Sequence, residues 1–379
     1  MTHPTICIYE DREVHLVAIE LAVLTLRRDL PGSHLIVSLG GRAAAATAGA
    51  ADPVRGFLAG RGVEVLADEQ LGGSGWDVKP ALLLARLRQG HDDVIWWDSD
   101  LLACSDGSRD LAPLLQPRTP QTLVATEDTW WGEEQGTGAR TRGFGWEVGR
   151  TFPRGFNSCL LRVGQAHIEL LETWRALLLR PDYLQAQQLP GDDRPLHLLG
   201  DQEPLAALLG SAAWAHVDVQ LVRRGRDIAQ AWGPAGYRVR ERLGSLRHGR
   251  PVLAHGTVTK PWELQGGPEG EDFPPRPPRG RDRKAWESWY DGLHAQLSPY
   301  TMAARAVGHD LPEQPAWLRR RSRTGRVLAA LPGDPLVVPE LPLAAVDATV
   351  RGVKRRRHPT THRVVDLTRA GDPTAPPGG

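Results

Sequence analysis

Lysine is scarce in this chain. Among 46 basic residues only four are lysine, Lys79, Lys260, Lys284 and Lys354, and the rest are arginine. Where arginine is the default cation, a lysine points to a place that wants a compact point charge rather than a planar fork. Cysteine is scarcer still. Cys7, Cys104 and Cys159 have no metal-type spacing and each sits in or beside an apolar run. That favours buried thiols in a reducing compartment over a disulfide framework. Charge of one sign is not in excess either. The net charge of +1 gives no global case for nucleic acid or a membrane surface. No apolar run approaches the roughly 18 residues of a spanning helix. The segment "MTHPTICIYEDREVH" has neither the basic start nor the apolar core of a secretory signal. The expected location is cytoplasmic, with no transmembrane segment and no nucleic-acid partner. No internal repeat is visible.

What is present is the composition of a soluble globular protein, with 379 residues, 41% hydrophobic and 24% charged, enough for one large domain or two ordinary ones. Apolar runs predict strands at 5–9, 34–40, 62–67 and 93–97. Helical spacing predicts helices at 12–29 and 79–90, the second with a proline near its start and a glycine after its end. Strand and helix alternate, which implies βαβ units and a mostly parallel sheet covered on both faces. Further strands are expected at 121–128, 155–163, 216–222 and 251–256, and helices at 165–179 and 200–210. Residues 129–150 are glycine-rich, carry Trp130, Trp131 and Trp146, and read as a long loop. Such a loop is a lid or binding loop, its tryptophans stacking on a ligand or anchoring the loop to the core. After Trp262 the texture changes. Residues 263–283 are a Pro/Gly-rich linker, 284–350 a helical extension with helices near 284–296 and 299–307, and 351–379 a basic tail expected to be disordered. The arginine clusters at 319–326 and 354–357 could meet anionic lipid headgroups, with a solvated basic tail the favoured reading.

The stretch "VIWWDSDLLAC" at 94–104 raises the chemical question. A strand that reads as buried ends in two carboxylates, Asp98 and Asp100, and burying unpaired charge is expensive. Carboxylates at i and i+2 on a strand end can both turn toward one hard divalent cation. The tip of a sheet strand is also where open α/β sheets bind ligands. A solvated turn, with Asp98 capping backbone, is the plain alternative. In "PVLAHGTVTKPW" at 251–262, His255 follows an apolar strand. Its imidazole suits a borderline cation such as Mn²⁺, and Lys260 nearby would neutralise phosphate charge.

The order of these motifs resembles retaining glycosyltransferases of the GT-A fold, and among them glycosyltransferase family 8, the glycogenin and bacterial galactosyltransferase group. The resemblance rests on "DSD" after an apolar strand, "FNSC" at Phe156–Cys159, "DQE" at Asp201–Glu203, His255 before Lys260-Pro261-Trp262, and Lys79 opening the helix before the "DSD" strand. It covers residues 5–262. Cys159 stands where the family has glycine, Glu203 where it has aspartate, and the gap from His255 to Lys260 is one residue short. "YEDRE" replaces the usual first-strand ending.

What the resemblance implies is a Rossmann-like nucleotide-diphospho-sugar transferase fold with a mostly parallel sheet. It implies a catalytic domain at 1–262, Mn²⁺ (or Mg²⁺) as cofactor, and a nucleotide-sugar donor, UDP-linked first. Asp98, Asp100 and His255 would hold the metal. Lys260 and Lys79 would meet the diphosphate, with Ser99 and Gly256 beside it, and Tyr9, Glu10 and Asp11 would face base and ribose. Asn157, Asp201 and Gln202 would hold the transferred sugar on the catalytic side. The acceptor, whether saccharide, small molecule or protein, is not legible. Two other readings stay open: a non-catalytic sugar-nucleotide-binding scaffold, and a D-x-D phosphohydrolase. Against the second, "DSD" comes some 90 residues into the chain and is followed by Leu101-Leu102. Helix capping remains an alternative for Asp201.

Overall fold

The structure, a computed structural model, describes residues 4–49, 52–67, 75–105, 110–128, 137–152, 154–231, 239–256, 260–262, 286, 298–315, 317–318, 345 and 349. Its strands are β1 Thr5–Glu10, β2 His34–Leu39, β3 Glu64–Ala67, β4 Asp93–Trp97, β5 Leu101–Ala103, β6 Thr122–Glu127, β7 Phe156–Gly164, β8 Asp218–Val222, β9 Ile228–Ala231 and β10 Leu253–Gly256. Its helices are α1 Leu16–Asp29, α2 Gly41–Ala46, α3 Pro53–Ala59, α4 Val78–Arg88, α5 Leu111–Leu115, α6 Thr137–Gly143, α7 Ile168–Leu178, α8 Pro181–Ala186, α9 Gln202–Gly210 and α10 Val239–His248. One more helix, Pro299–Val307, follows where the sequence places it.

The fold is mixed α/β with a large, mostly parallel central sheet. The chain divides into two compact units. One is built from the described residues up to Glu69, Ile95–Gln116 and those of Val222–Arg357, the other from the described residues of Gln70–Val94 and Pro117–Leu221. In the first unit the strand order runs β3-β2-β1-β4, with β1–β2 and β2–β3 parallel. The continuous apolar run of β1 is what a parallel strand covered on both faces requires, and Ile6, Cys7 and Ile8 are fully buried. A smaller sheet, β5-β10-β9, lies in the same unit, with β10 antiparallel to β5 and parallel to β9.

In the second unit the order runs β7-β6-β8, and β6 and β7 are antiparallel with an irregularity between Ala125 and Thr126. α4 has Pro80 in its first turn, and the chain leaves it through Gly90 at φ +95°, a conformation that favours glycine. Asp77 precedes α4 without capping it. Its carboxylate accepts from Arg175 Nε of α7 at 3.1 Å, which ties the two packed helices together.

Two expectations change. The helix expected from residue 12 opens with a 3₁₀ turn, Glu13–His15, before α1 begins. The segment expected as a loop over 129–150 contains α6, whose Arg140 is buried; its glycines hid the helical period. Trp130 and Trp131, the 263–283 linker, both arginine clusters and the tail lie outside the described residues. Of 284–296 only Trp286 is described.

Candidate functional site

The turn after β4 is shaped by its own sequence. Leu101 N donates to Asp98 O at 3.0 Å, closing a β-turn over "DSD", and Trp97 Nε1 donates to Leu101 O at 2.7 Å. The buried tryptophan before the aspartates therefore fixes the loop that displays them. Trp96 Nε1 donates to Asp98 Oδ1 at 2.5 Å and orients that carboxylate.

Register brings the histidine to this turn. β10 pairs with β5 so that His255 lies opposite Leu101, the residue after Asp100, and Gly256 N donates to Asp100 O at 3.1 Å. His255 Nε2 consequently stands 3.2 Å from Asp100 Oδ1 and 3.8 Å from Asp98 Oδ2. One ligand atom from each of Asp98, Asp100 and His255 falls within 4.8 Å of the others. Two carboxylates and an imidazole at this spacing form a donor set that fits a divalent cation with positions left for exogenous oxygens. Lys260 Nζ donates to the other Asp100 oxygen and to Gly256 O. Burial alone would raise the Asp100 pKa, but Lys260 and His255 hold it far below the ordinary carboxylate range. Asp100 thus keeps its charge inside the protein.

Of the first-strand residues, Glu10 is the most committed. It is buried and accepts from Arg12 Nε at 2.7 Å, Arg12 Nη2 at 3.1 Å, Arg12 N at 3.1 Å and Ser99 Oγ at 2.6 Å. Burial acts to raise its pKa; the bonds from His15, Arg12 and Ser99 outweigh that and bring it down to about 2. Glu10 and Ser99 therefore brace the end of β1 against the "DSD" turn. Tyr9 lies against Gly40, where an added Cβ would fall 2.3 Å from its hydroxyl oxygen. Asp11 is exposed.

The second unit gathers the remaining candidates. Lys79 Nζ lies 3.0 Å from Asp201 Oδ2 and donates to Ser158 Oγ at 2.7 Å, while Ser158 Oγ donates to Asp201 Oδ2 at 3.0 Å. Asp201 sits at the N-cap of α9, yet its side chain makes no capping bond; the capping alternative does not describe it. Gln202 Nε2 donates to Asp128 Oδ2 at 2.7 Å and to Glu203 Oε1 at 3.3 Å. Asn157 Oδ1 accepts from Cys159 N at 2.9 Å, and Asn157 O accepts from Thr126 Oγ1 at 2.5 Å beside the β6–β7 irregularity.

Four participants received no role from the sequence, although Glu203 and Ser158 lie inside the "DQE" and "FNSC" motifs. Arg140 and Glu203 are 1% and 2% exposed in their side chains, with Nη2 3.6 Å from Oε1. Burial pushes the Glu203 pKa up to about 7, with Arg140 opposing and the charges of Asp128 and Asp201 adding to the rise. Asp128, just past β6, and Ser158, inside "FNSC", complete the cluster. A carboxylate at the end of a predicted strand was the available signal for Asp128. Nothing local marks Arg140. Trp146 stacks on Phe144 of the same segment at 4.7 Å and 15°.

No family model matches the chain, and no curated protein matches it. Solved structures do. A glycosyltransferase involved in glycosylation of the major capsid of PBCV-1 is similar at 9% identity, TM-score 0.38, over 68% of this chain and 95% of that one. The galactosyltransferase LgtC, crystallised with donor and acceptor sugar analogues, is similar at 17% identity, TM-score 0.41, over 78% of this chain and 96% of that one. The glycosyltransferase GlyE of Streptococcus pneumoniae TIGR4 is similar at 16% identity, TM-score 0.41, over 81% of this chain and 64% of that one. Likenesses of this strength decide nothing about activity. Among the described residues, no helix is long and apolar enough to cross a membrane.

Proposed function

We propose that the chain is a metal-dependent glycosyltransferase that takes a sugar from a nucleoside-diphosphate donor, UDP-linked first, and passes it to an acceptor with retention of anomeric configuration. One observation carries this reading: Asp98, Asp100 and His255 converge within 4.8 Å beside Lys260. A divalent cation there would supply Lewis-acid stabilisation of a diphosphate leaving group.

The chain's own groups fit that task. Asp98 and Asp100 provide hard oxygen ligands and His255 a neutral nitrogen. Lys260, a point charge on a flexible stem, can exchange Asp100 for a phosphate oxygen. Glu10 and Ser99 hold the "DSD" turn rigid, so that its ligands need little reorganisation when a cation arrives. Asp201, Gln202 and Asn157 take the sugar-holding role that the sequence resemblance implies, with Lys79 orienting Asp201, Asp128 orienting Gln202 and the Cys159 amide orienting Asn157. Retention and the uridine base rest on that resemblance.

The test is a thermal-shift and calorimetric screen of nucleoside diphosphates and nucleotide sugars, with and without Mn²⁺, on the wild type and on Asp98→Asn and His255→Ala. Metal-dependent stabilisation by UDP that both variants lose is the expected result. If no nucleoside diphosphate binds with Mn²⁺ present, the donor-site reading fails. Donor binding with no metal-dependent donor hydrolysis would favour the non-catalytic scaffold.

A further inference from the structure

The helix Pro299–Val307 lies in the same compact unit as the Asp98–Asp100–His255 triad. Its placement begins locally. Ser298 Oγ accepts from Thr301 N at 3.0 Å as an N-cap, and Pro299 occupies the first turn. Tyr300 then packs on the end of β10, where an added Cβ at Gly256 would lie 3.5 Å from Tyr300 Cδ2. Gly256 is the residue whose carbonyl accepts from Lys260. Trp262 and Trp317 flank the tyrosine ring at centroid distances of 5.7 and 6.5 Å.

Tyr300 is 1% exposed and Trp262 is 5% exposed. Yet neither the Tyr300 hydroxyl nor Trp262 Nε1 has a hydrogen-bond partner among the described residues. Buried polar groups are nearly always paired, so two orphans in one aromatic cluster need an explanation. Both can donate, and the indole N–H can do nothing else. Gly256 is shared by Tyr300 and the Lys260 ammonium, also a pure donor, and Trp262 follows Lys260 by two residues. The carboxylate whose charge reaches Tyr300, Asp100, is already engaged by Lys260 and His255. Burial, and after it the charge of Asp100, holds Tyr300 in its protonated form. A set of donors short of an acceptor is complementary to an oxyanion.

We infer that the Tyr300 hydroxyl and the Trp262 indole N–H are ligand-binding donors of this site, made to hydrogen-bond oxygens of a donor diphosphate. This rests on the donor-site reading above and adds to it that the C-terminal helix is part of the site.

The experiment is calorimetry on the full chain, titrating UDP, GDP and ADP at saturating Mn²⁺ into the wild type, and UDP at saturating Mn²⁺ and Mn²⁺ alone into Tyr300→Phe and Trp262→Phe as well, with Mn²⁺ alone into the wild type for comparison. Tyr300→Phe keeps the ring and removes only the orphan hydroxyl, so the ligand-free unfolding temperature should be equal or higher. UDP affinity should fall by about tenfold to a hundredfold, the range for a hydrogen bond to a charged group, with Mn²⁺ affinity unchanged. Trp262→Phe should weaken UDP in the same direction. If Tyr300→Phe binds UDP as the wild type does, the hydroxyl is not a ligand-binding donor and the inference is overturned. An equal loss of Mn²⁺ affinity overturns it too, by placing the effect in the metal cluster. If the wild type itself binds no UDP, GDP or ADP with Mn²⁺, the donor-site reading falls and this inference with it.

Discussion

Lys79 Nζ, from the first turn of α4, stands 3.0 Å from Asp201 Oδ2, at the position just before α9. Ser158 Oγ of β7 bonds to both. Three elements thus meet at one sheltered charge pair. Asp201 pairs with a lysine rather than capping its helix.

That arrangement predicts an asymmetric response to mutation. Lys79→Met leaves the Asp201 carboxylate with Ser158 alone and should destabilise the protein by about 1–3 kcal/mol. Lys79→Met combined with Asp201→Asn should recover part of that loss, because no sheltered charge is then left over. Urea unfolding of the four proteins measures the cycle; a Lys79→Met variant as stable as the wild type would contradict it.

At the metal triad, Asp100→Ala removes the carboxylate that Lys260 faces inside the protein. Breaking a buried pair from one side destabilises by about 3–5 kcal/mol, so this variant should lose stability even without metal. Asp100→Ala with Lys260→Met should regain much of it while still failing to respond to Mn²⁺. Thermal melts with and without Mn²⁺ separate the two effects. A double variant that responds to Mn²⁺ like the wild type would remove Asp100 from the ligand set.

Glu203 makes stability depend on pH in a particular direction. Its pKa is about 7 in the folded protein against an ordinary glutamate value of 4.5. The folded state therefore holds this proton more tightly than the unfolded one. The stabilising contribution is fully present below about pH 4.5 and is lost as pH rises through about 7. Burial raises the Glu20 pKa to about 7 as well, so the wild-type curve alone is not diagnostic. The difference between wild type and Glu203→Gln should show a stability slope over pH 5–7 that the variant lacks. Parallel curves would refute the assignment.

Gly149 has no room for a side chain. An added Cβ would fall 2.5 Å from Ala212 Cα, a backbone atom, where Val148 and Ser211 form a β-bridge and Gly149 N donates to Gly210 O at 3.0 Å. Gly149→Ala should destabilise by about 1–3 kcal/mol, as overpacking does, by prising this segment from the end of α9. A neighbouring exposed change, Glu147→Ala, serves as the control in the same denaturation series.

Much of the fold was legible because its signals are local. β4 occupies the predicted 93–97 and the last described helix the predicted 299–307, one marked by a continuous apolar run and the other by a Ser-Pro start. β5 and β9 escaped notice. At three and four residues they are too short to show a period, and they exist because β10 pairs with both. The glycines of 137–143 masked α6 in the same way, since its buried Arg140 answers to Glu203 rather than to its neighbours in the chain.

The order of residues alone establishes which chemical groups are on hand: a double aspartate on a buried strand tip, a histidine before a lysine, an aspartate opening a helix. Strand and helix periods arise from neighbouring residues, so these could be read directly. Which groups meet is a matter of the folded chain. The β5–β10 register sets His255 beside Asp98 and Asp100. The approach of α4, β7 and α9 gives Asp201 its lysine, and a C-terminal helix carries Tyr300 to Gly256. Pairing between distant segments depends on packing and register, and neither leaves a mark on the residues immediately around each partner.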